Sequence, residues 1–172
     1  MKKYAHFETE RLFLQPTTEE DAGFILELLN SPKWLEYIGD RNVHTEEDAK
    51  QYIKNKISPQ LEKLGFGNYT LIRKTDGVKI GSCGLYDREG LDGIDIGFAL
   101  LPAFEGLGYG FESASKVLEI GKNEFNIDRF SAITTKNNLA SQRLIEKLGL
   151  RYIQTIRIPN DEEELLLYRI EY

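Results

Sequence analysis

The sequence predicts a single mixed α/β (α+β) domain, and three observations support this prediction. The length of 172 residues is that of one ordinary domain with a buried core. An apolar fraction of 41% and a charged fraction of 29% are typical of a globular chain. Segments with strand periodicity and helical periodicity alternate, and no linker, repeat or low-complexity stretch separates them. We therefore expect one domain over residues 1–172.

The first third of the chain is predicted to contain one strand and two helices. Residues 11–15 have strand composition, and Thr18 begins a capping box that is followed by apolar residues at helical spacing. This helix should end before Pro32, because proline disfavours helical geometry in the preceding residue. A second capping box starts at Thr45, and Pro59 should divide or kink the helix that follows it.

The middle of the chain is predicted to form sheet. Residues 69–73 and 79–86 have strand composition and are joined by a turn with the Asp76-Gly77 hairpin signature. Residues 94–101 form a third strand, in which side chains alternate between two faces. One of these faces carries four large apolar residues, Ile94, Ile96, Phe98 and Leu100, and the other carries Asp95, Gly97, Ala99 and Leu101.

The last third of the chain continues this alternation. A helix with an apolar face is predicted from about Phe111 to Phe125, followed by a strand over residues 129–135. The next helix covers residues 138–148, and two further strands flank a turn at residues 159–161.

Composition and charge exclude several functional classes. Lys plus Arg total 22 and Asp plus Glu total 28, so the net charge of −6 argues against nonspecific nucleic-acid binding. With one cysteine, Cys83, no disulfide framework within the chain is possible, and a cytoplasmic location is expected. No apolar run approaches the roughly 20 residues that a membrane span requires. We expect no membrane and no nucleic-acid partner.

A glycine-rich loop between a strand and a helix is the first candidate binding site. Three alternating glycines in the run Glu105-Gly106-Leu107-Gly108-Tyr109-Gly110 allow a tight turn and a close approach of backbone N–H groups to a ligand. The positive end of the following helix favours an anion such as a pyrophosphate. The dinucleotide-binding pattern fails, because Phe111 replaces its third glycine, and no Gly-Lys-Ser/Thr follows.

Asn138 is the second candidate, because it lies where a strand changes to a helix. Its amide side chain can cap that helix, which is a purely structural role. Alternatively, the side chain points outward and hydrogen-bonds a ligand that lies between two strands. Residue type and position alone leave both interpretations open.

These segments together resemble the GNAT (GCN5-related N-acetyltransferase) superfamily, and within it the branch of ribosomal-protein N-terminal acetyltransferases. The resemblance spans nearly the whole chain. The matching motifs, in chain order, are Thr9-Glu10-Arg11-Leu12, Tyr37-Ile38-Gly39-Asp40, Asp95-Ile96-Gly97-Phe98, the Gly106–Gly110 loop with Glu112, Asn138-Leu139-Ala140-Ser141 and Glu146-Lys147-Leu148-Gly149.

The resemblance implies a fold and a cosubstrate. The expected fold is one twisted mixed sheet of six to seven strands, flanked on both faces by about four helices. The central strand and the strand over residues 129–135 should separate, so that the pantetheine arm of acetyl-CoA enters between them. The implied cofactor-binding residues are Phe98, Ala99, Leu100, Glu105, Gly106, Leu107, Gly108, Tyr109, Gly110, Phe111, Asn138 and Ser141.

One residue departs from the family pattern. The family loop usually opens with Gln or Arg, whereas this chain has Glu105 there. A carboxylate beside phosphates is repulsive, so we expect Glu105 to contribute only its backbone.

The catalytic residues are less clearly marked. Many relatives place a tyrosine in the last helix as proton donor to the departing thiolate, but the corresponding position here is Ile145. Ser141, one turn earlier, could protonate the sulfur as a matching serine does in the ribosomal-protein branch, or could be a small polar packing residue. Asp95 could accept the amine proton directly or through water, or could be an ordinary strand-end carboxylate.

Other reactive side chains are assigned structural roles. Cys83 is expected to be a buried apolar residue. His6 and His44 have no cysteine or carboxylate cluster at ligand spacing, so no metal is expected. Trp34 and Tyr37 could line an acceptor cleft or simply pack.

Two functional classes therefore remain open. The first is an N-acetyltransferase acting on an amine, either the N-terminus of a ribosomal or other protein or a small amine such as a polyamine or aminoglycoside. The second is a module that senses acetyl-CoA without turnover. Either form could be a monomer or a homodimer.

Overall fold

The computed structural model describes residues 3–172 and contains one eight-stranded sheet in the order β1-β2-β3-β4-β5-β6-β8-β7. All neighbouring strands are antiparallel except β5 and β6. The strands are β1 Phe7–Glu8, β2 Leu12–Pro16, β3 Asn68–Arg73, β4 Lys79–Tyr86, β5 Ile94–Leu100, β6 Arg129–Thr135, β7 Arg151–Ile156 and β8 Leu165–Glu171.

The strand count corrects the expected six to seven. The additional strand is β1, in which Phe7 and Glu8 pair with Leu14 and Phe13 of β2. Two residues are too few to show an alternating pattern, so only the pairing with β2 identifies this strand.

Within residues 3–172, five α-helices accompany the sheet rather than about four. They are α1 Ala22–Leu29, α2 Pro32–Tyr37, the continuous helix formed by α3 Glu46–Tyr52 and α4 Ser58–Leu64, α5 Tyr109–Glu124 and α6 Leu139–Lys147. The prediction missed α2. Pro32 does end α1, but it also stands in the first turn of α2, where its missing N–H costs no hydrogen bond.

The helix that contains Pro59 is not divided, but its winding changes just before this proline. A π-helical segment, Ile53–Ile57, joins α3 to α4, and Ser58 N–H donates to the carbonyl of Ile53 five residues earlier. Proline lacks an N–H and its ring crowds the carbonyl four residues before it, so a wider turn accommodates it.

The helices pack on both faces of the sheet, as expected. Ile96 lies in an apolar cluster with α5 and α6, and Phe98 and Leu100 pack against the same cluster. Leu101 belongs to a second cluster with α1 and α3, against which Ala99 packs. This alternation along β5 places the strand between two apolar layers.

Strand β4 lies unusually close to β5 at Gly81. A Cβ built on Gly81 would lie 2.7 Å from Leu100 Cδ2, 3.0 Å from Leu100 Cα and in direct conflict with the carbonyl oxygen of Ala99. Gly81 therefore allows β4 to hold the last residues of β5 in place.

Replacing Gly81 with alanine should destabilise the fold by about 1–3 kcal/mol, because backbone atoms of β5 must move. The free energy of unfolding measured by urea titration tests this. Gly67→Ala is the matched control, since its Cβ would have no neighbour closer than 3.7 Å. Equal stability of the two variants would contradict the close approach.

Candidate active site

The candidate site begins where β5 and β6 separate. The two parallel strands pair only at Ile94 with Phe130 and at Asp95 with Ser131, although each strand has seven residues. From Ile96 onward, the β5 edge that faces β6 has no strand partner in the described chain. An unpaired edge can accept an extended ligand by backbone hydrogen bonding. Phe98, Ala99 and Leu100, which are half-buried, lie on this part of β5.

The glycine-rich loop lies just beyond the end of this open edge. Gly106 and Gly108 have φ values of +72° and +87°, which side-chain-bearing residues rarely adopt. A Cβ on Gly106 would meet nothing within 4 Å, and Leu107 between the two glycines is 52% exposed. Gly108 is the N-cap of the 16-residue helix α5, whose first N–H groups have no acceptor within the helix. The loop thus fits an anionic group.

Glu105 does not leave an unbalanced negative charge beside the loop. Its carboxylate forms a 2.6 Å ion pair with Lys33, in the first turn of α2. This pairing is consistent with the expectation that Glu105 contributes only its backbone to ligand binding. Lys33 was not singled out in the sequence, because the two residues are 72 positions apart and no local pattern relates them.

The aromatic side chains of the loop differ from each other in their surroundings. Tyr109 is 6% exposed and belongs to the core, so only its backbone remains available to a ligand. Phe111 lies at the surface with the ammonium of Lys147 4.2 Å from its ring centroid. Gly110 packs on α6, because a Cβ there would be 3.1 Å from Leu144 Cδ2.

Asn138 has the capping geometry. Its Oδ1 accepts a 3.2 Å hydrogen bond from the N–H of Ser141 and makes Asn138 the N-cap of α6. A primary amide has two further N–H donors, so capping leaves its NH₂ group able to bind a ligand as well. The two interpretations offered by the sequence are therefore compatible.

Ser141 lies in the first turn of α6, on the side that faces α5. Residues three apart on a helix share a face, and Leu144 on that face packs against Gly110 of α5. Ser141 is half-buried, whereas Ile145 is 1% exposed and part of the core. Ile145, where the resemblance would place a tyrosine donor, is therefore a core residue, and Ser141 is the hydroxyl closest to it in sequence.

Asp95 lies at the closed end of the gap and is 1% exposed. Arg88 Nε donates a 3.0 Å hydrogen bond to its Oδ2, while the buried Oδ1 has no hydrogen-bond partner within the described chain. Burial raises the pKa of Asp95 from 3.8 to about 6, although Arg88 acts in the opposite direction. Such a carboxylate can take up a proton near neutral pH, and its burial favours doing so through water.

The remaining candidates have structural surroundings. Cys83 is fully buried, and burial raises the pKa of its thiol to about 12, so it is not a thiolate nucleophile. Trp34 packs against the apolar cluster of α1 and α3.

Over residues 3–172, no group of three or more His, Cys, Asp and Glu side chains is arranged to hold a metal ion. In the same range, no helix combines the length and apolarity needed to cross a membrane.

Comparison with known proteins identifies this arrangement. A sequence model described as an acetyltransferase (GNAT) domain matches residues 11–151. The Bacillus subtilis (strain 168) protein YnaD, described as an uncharacterized N-acetyltransferase, is 29% identical over 146 residues, which are 85% of this chain and 82% of YnaD.

Two solved structures share the fold. Ribosomal-protein-S5-alanine acetyltransferase from Vibrio fischeri has a TM-score of 0.80 at 16% identity, covering 97% of this chain and 96% of that one. RimL, a ribosomal L7/L12 alpha-N-protein acetyltransferase in complex with coenzyme A, has a TM-score of 0.81 at 16% identity and covers 97% of this chain and 98% of its own.

The burial of Asp95 has a pH-dependent consequence. A folded-state pKa raised from 3.8 to about 6 imposes a cost on folding that is absent below pH 3.8 and complete above about pH 6. Asp95→Asn should therefore be more stable than the parent protein at pH 7.5, by about 2–3 kcal/mol, and this advantage should shrink as the pH falls to 4.5. Urea unfolding at both pH values measures it.

Asp76→Asn is a control of opposite sign. Hydrogen bonding from Arg73 lowers the pKa of Asp76, so this variant should be less stable than the parent protein at neutral pH, with the difference fading in acid. A pH-independent effect of Asp95→Asn would show that its carboxyl is not held in an unfavourable charged state.

Proposed function

The chain belongs to the acetyltransferase (GNAT) family, and on this premise we propose that it acetylates the N-terminal α-amine of a ribosomal or other protein. As a family member it is an acetyl-CoA-dependent N-acetyltransferase. The protein acceptor is our inference, and the structural likeness to two ribosomal-protein acetyltransferases suggests it. We also propose that residues 1–172 form one domain, and the cytoplasmic location stays a prediction.

The observation that supports this function most directly is the separation of β5 from β6 beside the glycine-rich loop. Beyond Asp95, the open edge of β5 has backbone N–H and C=O groups for the extended pantetheine arm of acetyl-CoA. The backbone from Glu105 to Phe111 and the first turn of α5 would hold the pyrophosphate. The Asn138 amide would bond the arm from the side of α6.

Acetyl-CoA supplies a thioester whose carbonyl carbon a neutral amine attacks directly. In this proposal the C–S bond breaks, and Ser141 donates its hydroxyl proton to the departing thiolate and regains a proton from water. Ser141 is assigned this role because it lies on the side of α6 that faces α5. Asp95 takes up the amine proton through water, since burial and the Arg88 ion pair keep bulky groups from its carboxylate.

The small number of acid and base side chains at the proposed site favours an α-amine acceptor. An α-amine has a pKa of about 7.7–8.0 and a lysine side chain about 10.4, a difference of roughly 3.5 kcal/mol in deprotonation. No histidine occurs between Gly93 and Leu150, where the proposed site lies. About a tenth of α-amines are already neutral at pH 7, so they require less from a base.

Small amines form the second class of acceptor, and one observation favours keeping them in the test. The net charge of −6 attracts cations such as polyamines and aminoglycosides as well as protein N-termini. An acceptor panel must therefore contain peptides, polyamines and aminoglycosides.

Binding of acetyl-CoA should stabilise the fold. At a ligand concentration about 100-fold above the dissociation constant, binding adds about 2.7 kcal/mol, which corresponds to a rise of roughly 5–10 °C in melting temperature. Differential scanning fluorimetry measures the shift. NAD and ATP serve as controls and should give little, because the chain lacks both nucleotide-binding patterns. An equal shift in melting temperature with NAD would contradict the assignment of the glycine-rich loop to acetyl-CoA.

The acceptor preference should appear in the rates at pH 7. Peptides with a free N-terminus should be acetylated faster than N-terminally blocked peptides that offer only lysine, because more of the α-amine is neutral. Release of free thiol, followed by mass spectrometry of the product, measures both rates. A blocked peptide acetylated on lysine as fast as its free counterpart would contradict the proposal, and faster turnover of a polyamine would assign the small-amine class.

Two variants separate the catalytic roles. Ser141→Ala should lower kcat more than it raises the KM for acetyl-CoA, since its hydroxyl is assigned to the leaving group. Asp95→Asn should lower kcat less than Ser141→Ala, if water by itself can accept the amine proton. Full activity of Ser141→Ala would remove this residue from the mechanism.

A further inference from the structure

Arg11, immediately before β2, contacts the glycine-rich loop from a distant part of the chain. Its Nη1 donates a 3.0 Å hydrogen bond to the carbonyl oxygen of Leu107. Its guanidinium carbon lies 4.1 Å from the centroid of the Tyr109 ring, a cation–π contact. Its Nη2 lies 3.2 Å from the position that a Cβ on Gly108 would take. One planar side chain thus contacts Leu107 and Tyr109 and lies beside the glycine between them.

The bond to Leu107 determines how the next peptide group is oriented. In a trans peptide the C=O and N–H point in opposite directions. When Arg11 holds the carbonyl of Leu107, the N–H of Gly108 must point away from Arg11. Gly108 lies in the exposed part of the loop, so this N–H is directed outward at the start of α5.

Arg11 also neutralises the carboxylate in the first turn of α5. Glu112 Oε1 accepts a 2.7 Å hydrogen bond from Arg11 Nε, and Oε2 accepts bonds from the Arg11 backbone N–H and the Thr9 hydroxyl. Burial would raise the pKa of Glu112, but these bonds outweigh burial and the pKa is lowered. Glu112 is therefore a charged carboxylate close to the anion-binding loop, and its charge is balanced by Arg11.

We propose that Arg11 is a positioning residue for the pyrophosphate of acetyl-CoA. It orients the Leu107–Gly108 peptide so that an N–H faces the phosphates, and it cancels the negative charge of Glu112. The fork of the guanidinium is essential, because a lysine ammonium cannot bond Leu107, pair with Glu112 and stack on Tyr109 in one plane. This inference rests on the proposed function, since it requires acetyl-CoA to bind at this loop.

The test compares two ligands that differ in the pyrophosphate. Calorimetry measures the affinity for CoA, and ligand-observed NMR measures the affinity for pantetheine, which lacks the nucleotide and its pyrophosphate. Arg11→Gln should weaken CoA binding at least tenfold and leave pantetheine binding unchanged. Arg11→Lys should also weaken CoA binding several-fold. In turnover, Arg11→Gln should raise the KM for acetyl-CoA while kcat stays near the parent value.

Arg129→Gln is the matched control, because Arg129 has nearly the same side-chain exposure (39% against 40%) and ion-pairs with Asp92 and Glu171. It lies at the end of β6 away from the loop, so CoA affinity should not change. A cooperative urea unfolding transition confirms that each variant is folded. If Arg11→Gln does not fold, the CoA affinity of Arg11→Lys is the test.

Three results would overturn the inference. Unchanged CoA affinity in Arg11→Gln would show that Arg11 does not position the pyrophosphate. Equal weakening of CoA and pantetheine binding in that variant would show a general structural effect. Full CoA affinity in Arg11→Lys would show that a positive charge alone suffices. A parent protein that binds no CoA would overturn the proposed function, and this inference with it.

Discussion

The early separation of two parallel strands is the constraint on which the rest of the structure depends. After Asp95 and Ser131, β5 and β6 no longer exchange backbone hydrogen bonds, although both continue for several residues. Unpaired sheet edges are normally blunted or covered, because they invite nonspecific pairing. Here α5 and α6 begin beyond the carboxyl ends of β5 and β6, and the first turn of α5 packs on α6 through Gly110 and Leu144. The open edge is thereby confined to a narrow gap.

Long-range ion pairs control the charge around that gap. Glu105 and Glu112 both lie within the segment assigned to an anion, which by itself would repel phosphate. Each carboxylate has a cation from the N-terminal part of the chain, Lys33 for the first and Arg11 for the second. With both carboxylates paired, the groups that the loop can still offer an anion are backbone N–H groups and the positive end of α5, in a protein whose net charge is −6.

Asp95 shows the cost of placing a carboxylate where strands separate. Its burial is only partly compensated by Arg88, and one oxygen has no partner in the described chain. Perturbed pKa values are enriched at functional sites, and burial brings the pKa of this carboxyl to about 6, closer to neutral pH than that of an ordinary aspartate. Ser141 differs from Asp95 in that its side chain is a neutral hydroxyl, and it lies in the first turn of α6.

Local patterns in the sequence were enough to predict most of the regular elements and the glycine-rich loop, because each depends on residues close together in the chain. The change in helix winding next to Pro59 belongs to the same class. The same patterns offered the cap at Asn138 as one of two interpretations. Strand β1, the dual role of Pro32 and the pairs Lys33–Glu105 and Arg11–Glu112 required the tertiary structure. In these cases the partners are distant in sequence, and their contact depends on how the sheet and helices pack. The sequence by itself marked the glycine-rich backbone as a candidate anion site. Only the fold decided which side chains contact that backbone and pair with its carboxylates, because those side chains come from distant parts of the chain.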